Sequence, residues 1–325
     1  MKKPEFYVSM LPHLHSGDSL KKMHFDIVLA LVPTIFFGWL FYGWYGLLII
    51  LLSAATAVST EFLWQKAIGR KVSIGDGSAL ITGILLGLLL TSENPWWVPI
   101  LGAFVAILVG KQLFGGLGCH PFNSAIVGWA FLQISYKDIL NTFPFPEPRF
   151  LLQAGEFFTD PALRMLRDGG AEDLADLPWK DLFLGNVPAE IGTACVLAII
   201  IGGAYLLYRR RISWHIPFSF IASAWIFAFI FQQIDPEVYA SPTFHILSGW
   251  MLLGAFFLAP EKGTCPVTTP GMILYGIGCG ILTMIIRLWG SYVEGVPFAI
   301  LLMNAATPLL DRIKPRTVGR IEEIA

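Results

Sequence analysis

A chain of 325 residues that is 55% hydrophobic and only 14% charged, with a mean hydropathy of +0.65, lies far from the soluble balance in which roughly a quarter of residues are charged. It reads as an integral membrane protein, and its net charge of −1 argues against nucleic acid or an acidic substrate as partner. The four cysteines, Cys119, Cys195, Cys265 and Cys279, form no C-x-x-C pair and no zinc or cluster-binding spacing; Cys195 and Cys279 fall inside apolar runs and are read as core residues.

Crossing a bilayer takes about 20 apolar residues per helix. The first 23 residues are polar and are read as a cytoplasmic segment without a cleavable signal peptide, because the run that follows continues straight into a second. Spans are predicted near 24–42, 45–64, 76–90, 96–110 and 121–136, a first membrane repeat over 24–136. Residues 137–187 form a polar external loop. A second repeat over 188–310 supplies spans at 188–208, 214–232, 243–259, 271–289 and 296–309, and 311–325 is a cytoplasmic tail. The predicted fold is therefore all-α, with about ten transmembrane helices.

Lys and Arg concentrate on the cytoplasmic side of membrane proteins. With the N-terminus inside, sixteen of the 22 fall on that side, leaving Lys137, Arg149, Arg164, Arg167, Lys180 and Arg287 outside. Both termini are then cytoplasmic. Five spans before the loop and five after it make the halves cross in opposite senses, the inverted-repeat plan of many transporters. Each half holds a stretch broken by glycine and proline, 110–125 and 259–270. Backbone that is not helical at membrane depth has to be buried in protein or line a cavity, so broken helices at the repeat interface point to a ligand site.

Several separated motifs carry a family resemblance: Asp76 to Gly83 leading into a leucine run, Asn94-Pro95-Trp96-Trp97, Gly110 to Asn123, Leu182 to Asn186, and Glu294 to Asn304 followed by Thr307-Pro308-Leu309. In that order they resemble the D-type subunit of the Rnf electron-transport complex, in a superfamily with the B-type subunit of the sodium-pumping NADH:quinone reductase. The resemblance implies a component of a redox pump in a prokaryotic cytoplasmic (inner) membrane, moving electrons between ferredoxin and NAD while sodium ions or protons cross. Its implied partners are the A, B, C, E and G type subunits, and its implied fold is an inverted repeat like that of urea transporters. The implied cofactor is FMN, with riboflavin as the alternative, and in the family FMN is joined to a threonine of a Ser/Thr-Gly-Ala-Thr motif before the sixth span.

This chain lacks that motif. Thr159 is the nearest candidate, and its neighbours Glu156 and Asp160 repel a flavin phosphate, which argues for an unmodified side chain. The chain also has Ala259-Pro260-Glu261 and Thr264-Cys265-Pro266 where the family has Ala-Thr-Asp and Thr-Ser-Pro, and His120 and Ser124 where it has Asn and Pro.

The candidate cofactor-binding residues are Thr159, Gly115, Gly116, Gly118, Asn123 and Arg287. Asn123 and the glycines offer an amide and bare backbone to a flavin edge or an ion, or else form a helix break satisfied by neighbouring backbone. Arg287 either steadies an anionic flavin or snorkels to the interface. Asp76 is read equally as part of an ion path or as the cap of the third span. Glu261 binds a cation or pairs with Lys262. A metal shared by Cys119 and Cys265 has no spacing signature behind it, and His13, His15 and His24 fall in or beside the polar N-terminal segment. With no Rossmann fingerprint, P-loop or nucleophile elbow, two readings stand: a flavin-bearing electron-transfer and ion-coupling subunit, or a flavin-free channel or scaffold subunit.

Overall fold

The computed structural model describes residues 19–70, 72–143, 161–170, 179–185 and 187–313. They fold into thirteen α-helices, and no strand occurs among the described residues. The first, α1 (Leu20–Ala67), has 48 residues and is capped by the Ser19 hydroxyl, which accepts from the Lys22 amide at 3.2 Å. Unbroken, it would be about 70 Å long, more than twice the hydrocarbon thickness. Gly43, at φ 66° and ψ −157°, breaks it into two arms. The arms fold back on each other: His24, near the start of α1, donates from Nδ1 to the Asp76 carbonyl at 2.5 Å, just beyond the end of the second arm. The predicted hairpin of 24–42 and 45–64 is thus present, hinged between its two spans.

Two further helices, α9 (His215–Ile234) and α12 (Thr269–Trp289), are also long and apolar enough to cross a membrane. Most of the others are shorter than their predicted spans. α2 is Ser78–Leu88, α3 is Trp97–Ile107 with a π turn at Leu108–Gln112, and α4 is Ser124–Ser135. Between α4 and the next long helix lie α5 (Lys137–Leu140), α6 (Ala162–Gly169) and α7 (Trp179–Leu184). The sixth span, predicted from 188, becomes helical only as α8 (Val196–Tyr208). Its first residues serve the end of α2 instead, the amides of Ile191 and Gly192 donating to Leu90 and Leu88 carbonyls at 3.0 and 2.7 Å.

The predicted span 243–259 is likewise divided, into α10 (Pro242–Leu247), a break at 248–250, α11 (Met251–Leu253) and a π turn at Gly254–Leu258. Gly249, at φ 64°, makes this break, and a β-carbon there would lie 2.1 Å from Glu294 Oε2. The last helix, α13, is Val296–Leu310. Trp129 of α4 packs edge-on against Trp250 at 4.7 Å and against Phe298 of α13 at 5.6 Å, joining elements from both parts of the chain.

Small residues set how closely helices approach where lipid supplies no hydrophobic drive. α2 presents Gly83 and Gly87 to the second arm of α1, where added β-carbons would lie 2.5 Å from Ala54 Cα and 2.7 Å from Ile50 Cα. α12 presents Gly276 and Gly280 to α9 in the same way. In Gly280→Ala the new carbon would meet the Phe220 carbonyl oxygen at 2.5 Å and Ser223 Oγ at 2.0 Å, so a loss of about 1–3 kcal/mol is expected from overpacking. Gly278→Ala would meet only the flexible Met303 side chain, at 2.5 Å from its sulfur, and is expected to be neutral or slightly stabilising through helix propensity. Thermal unfolding of the two detergent-solubilised variants compares them directly.

Candidate functional site

The end of the bundle that carries Arg209 to Arg211 is organised by the π turn closing α3. Widening of this last turn brings Lys111 and Gln112 inward, to 1% and 3% exposure. Lys111 Nζ donates to Glu61 Oε2 at 2.9 Å, Glu61 Oε1 at 3.1 Å and Ser78 Oγ at 2.6 Å. Glu61 also accepts from Gln112 at 2.9 Å and Gln65 at 3.0 Å. Removing two charges from water is offset only when geometry is good and the remaining valences are filled, a condition met here by three donors on one carboxylate.

Beyond the π turn the chain runs through Gly115, Gly116 and Gly118 at φ 118°, 101° and 84°, the left-handed region where side chains are strained. The Gly115 carbonyl accepts from Arg70 at 3.0 Å. Asn123 ends the stretch with two tasks. Its Oδ1 caps α4 by accepting from the Ile126 amide at 3.2 Å, and its Nδ2 donates to the Leu258 carbonyl at 3.1 Å, where the second broken stretch begins. His120 makes a second link, with Nε2 at 3.4 Å from Glu261 Oε1 and Nδ1 at 3.4 Å from the Gly116 carbonyl. Both ring nitrogens face acceptors, which only the doubly protonated ring satisfies as a donor to each.

The two broken stretches therefore meet, and between them lies a pocket of about 300 Å³, at the lower end of the range for small-ligand sites. Lys111, Gly118, His120, Asn123, Phe257 and Glu261 contribute to its wall, with His24 and Arg211 at the sides. Arg211 Nε is 2.5 Å from Oδ2 of Asp26, which is 3% exposed and also accepts from Tyr205 at 3.2 Å, fixing the end of α8 to the start of α1.

Of the residues singled out in the sequence, Gly118, Asn123 and Glu261 share this pocket, while Gly115 and Gly116 form the turn leading to it. Asp76 adjoins it through Ser78: its Oδ1 accepts from the Ser78 amide and hydroxyl, both at 2.8 Å, fixing the first turn of α2. Arg287 lies at the opposite end, buried. It donates to the His245 carbonyl at 2.6 Å, the Ser248 carbonyl at 3.1 Å and both oxygens of Glu294 at 3.1 and 3.2 Å. Its guanidinium is thus engaged at the break between α10 and α11. Thr159 lies outside the described residues.

Sequence reasoning did not single out Glu61 or Asp26, and it counted Lys111 among the loop cations. Ionisable residues inside apolar runs were the available signal, but nothing local says that positions 50 residues apart form a pair.

Over residues 7–319 the chain matches the family described as NQR2, RnfD, RnfE. It is 36% identical to the D subunit of the Na(+)-translocating ferredoxin:NAD(+) oxidoreductase complex of Acetobacterium woodii, over 98% of this chain and 96% of that protein. It is 35% identical to the D subunit of the Proton-translocating ferredoxin:NAD(+) oxidoreductase complex of Clostridium ljungdahlii, over 96% and 95%. To the D subunit of the Ion-translocating oxidoreductase complex of Halorhodospira halophila it is 34% identical, over 95% and 94%. These matches run through every described helix and both broken stretches, and the chain belongs to the NQR2, RnfD, RnfE family.

Proposed function

We propose that this chain is the D-type membrane subunit of an Rnf-type ion-translocating ferredoxin:NAD oxidoreductase, holding a flavin for electron transfer coupled to sodium or proton transport. The observation that carries this reading is the meeting of the two broken stretches at one pocket of about 300 Å³, in a chain similar over nearly its whole length to subunits named for that reaction. The topology that goes with it has ten spans in two inverted repeats, both termini cytoplasmic, in a prokaryotic inner membrane beside A, B, C, E and G type subunits. The relatives named for sodium and for protons are almost equally similar to this chain, so both ions are kept.

The pocket residues suit a flavin ring. Phe256 and Phe257 offer apolar faces, Gly118 offers bare backbone, and Arg211 and Lys262 offer positive charge toward a phosphate. A bound flavin would supply the redox chemistry, and the protein its position and surroundings. Attachment without a covalent bond is favoured, because the chain lacks the usual threonine motif. The alternative is a flavin-free channel or scaffold subunit. In its favour, Asn123 already spends both ends of its amide on the fold, and Arg287 is bound to carbonyls and Glu294.

Flavin extraction from the native complex, with intact mass and ultraviolet fluorescence of the subunit in a denaturing gel, tests the cofactor. The expected outcome is flavin released on denaturation and an unmodified mass. An FMN-sized increase mapping to Thr159 overturns the non-covalent reading, and no flavin assignable to this subunit selects the scaffold.

The Lys111 and Glu61 pair tests the coupling. Glu61→Gln leaves a buried ammonium without its counter-charge, and a loss of about 3–5 kcal/mol is expected, read as a lower melting temperature. Combining Glu61→Gln with Lys111→Met is expected to recover most of that stability. If the recovered double variant still transfers electrons but no longer transports ions, the pair belongs to the coupling path; if transport also returns, the pair is structural.

A further inference from the structure

On an exposed face of the bundle, α9 and α12 leave an open groove of about 520 Å³ between them, within the range for small-ligand sites. Phe218, Ala222 and Ile226 line one wall at helical spacing, and Ile273, Ile277 and Ile281 line the other. The two serines in the wall add no free polarity, because Ser219 donates to the His215 carbonyl at 2.7 Å and Ser223 to the Phe220 carbonyl at 3.0 Å. The wall therefore suits hydrocarbon. From Trp214 to Ile230 the groove follows α9 for about 24 Å, more than half of the roughly 30 Å of hydrocarbon in a bilayer.

The end of the groove nearest Arg209 to Arg211 is different in kind. Trp214 and His215 close it, with their rings stacked at 4.2 Å. Trp214 is exposed, as is Tyr208 just before the arginines, and aromatic residues so placed mark the headgroup level of a membrane. Ser213 Oγ lies 2.7 Å from His215 Nδ1, and the other ring nitrogen has no partner among the described residues. Nε2 is thus available to donate to an anion.

Three arginines precede Trp214. Arg211 and Arg209 are drawn to Asp26, at 2.5 and 3.4 Å, whereas Arg210 is exposed and has no partner among the described residues. Arg210 also stands where a glycine would be at ease. Its amide donates to the Leu207 carbonyl at 3.0 Å and the Arg211 amide to the Leu206 carbonyl at 2.9 Å, a helix ending built around one left-handed residue. At φ 53° Arg210 is the one non-glycine residue among those described with a positive φ. An arginine there costs backbone strain that glycine avoids, and a cation free of protein partners at the headgroup level attracts anionic lipid.

We propose that this groove binds an anionic phospholipid, with one acyl chain lying between α9 and α12 and the phosphate meeting Arg210 and His215. A soluble anion would leave the hydrocarbon wall unused, and a neutral hydrocarbon would leave the arginine unused. The site depends on neither a flavin nor a transported ion.

The test titrates the full chain, purified in detergent, with phosphatidylglycerol or phosphatidylcholine of identical acyl chains. Bound lipid is counted by native mass spectrometry, and the melting temperature is read beside it. One phosphatidylglycerol is expected to bind saturably, about tenfold tighter than phosphatidylcholine, and to raise the melting temperature. Arg210→Gly is expected to abolish that preference while its lipid-free melting temperature stays level or rises, since the strain at this position is relieved. Ala222→Phe fills the groove and is expected to weaken both lipids about tenfold. Equal binding of the two lipids by the native chain overturns the proposal. So does a preference that survives both Arg210→Gly and Ala222→Phe, which places the lipid elsewhere. If Ala222→Phe leaves lipid binding unchanged but releases another subunit from the purified complex, the groove seats a partner helix and the proposal fails.

Discussion

A carbonyl or amide freed by a helix break has no water to turn to inside an apolar bundle, and the architecture of this protein depends on where each finds its partner. At one end, Asn123 reaches from the cap of α4 to the Leu258 carbonyl. At the other, Arg287 takes up the His245 and Ser248 carbonyls while Glu294 accepts from the amides of Trp250 and Val296. The end of α2 is completed by backbone more than 100 residues away, through Ile191 and Gly192. Each break is closed by a group from another element, so the breaks tie the bundle together.

Buried charge follows the same logic. Glu61 and Lys111, Asp26 and Arg211, and Glu294 and Arg287 each bring opposite charges to within 2.5–3.1 Å. The first two join positions 50 and 185 residues apart, so each fixes packing as well as charge, while the third is local, joining residues seven apart. Glu190 differs, with a hydroxyl as its side-chain partner. A fold that matches its other interior charges so closely sets that carboxylate apart.

The elements legible in the sequence were those whose causes are local. The hinge at Gly43 falls between the two predicted runs, and α9 and α12 lie within two residues of their expected limits. The shortened helices were not legible, because an apolar run such as 188–208 reads alike whether its first residues are helical or extended along α2. Within the site, the broken stretches and Asn123 stood out by composition, since glycine, proline and asparagine are rare inside spans. Lys111 did not, because it sits at the edge of a run where a cation ordinarily faces solvent. Its burial follows from the π turn and from Glu61, neither of which local spacing specifies.

The hairpin at the start of the chain has a consequence for biogenesis. Its two arms are separated by one non-helical residue, too short a connection for either arm to settle without the other. They bring Asp26 with them, whose partner Arg211 is synthesised 185 residues later. Until α8 emerges, the nascent hairpin holds a carboxylate that the finished protein seals, and the first half of the chain is a membrane-inserted intermediate awaiting its counter-ion.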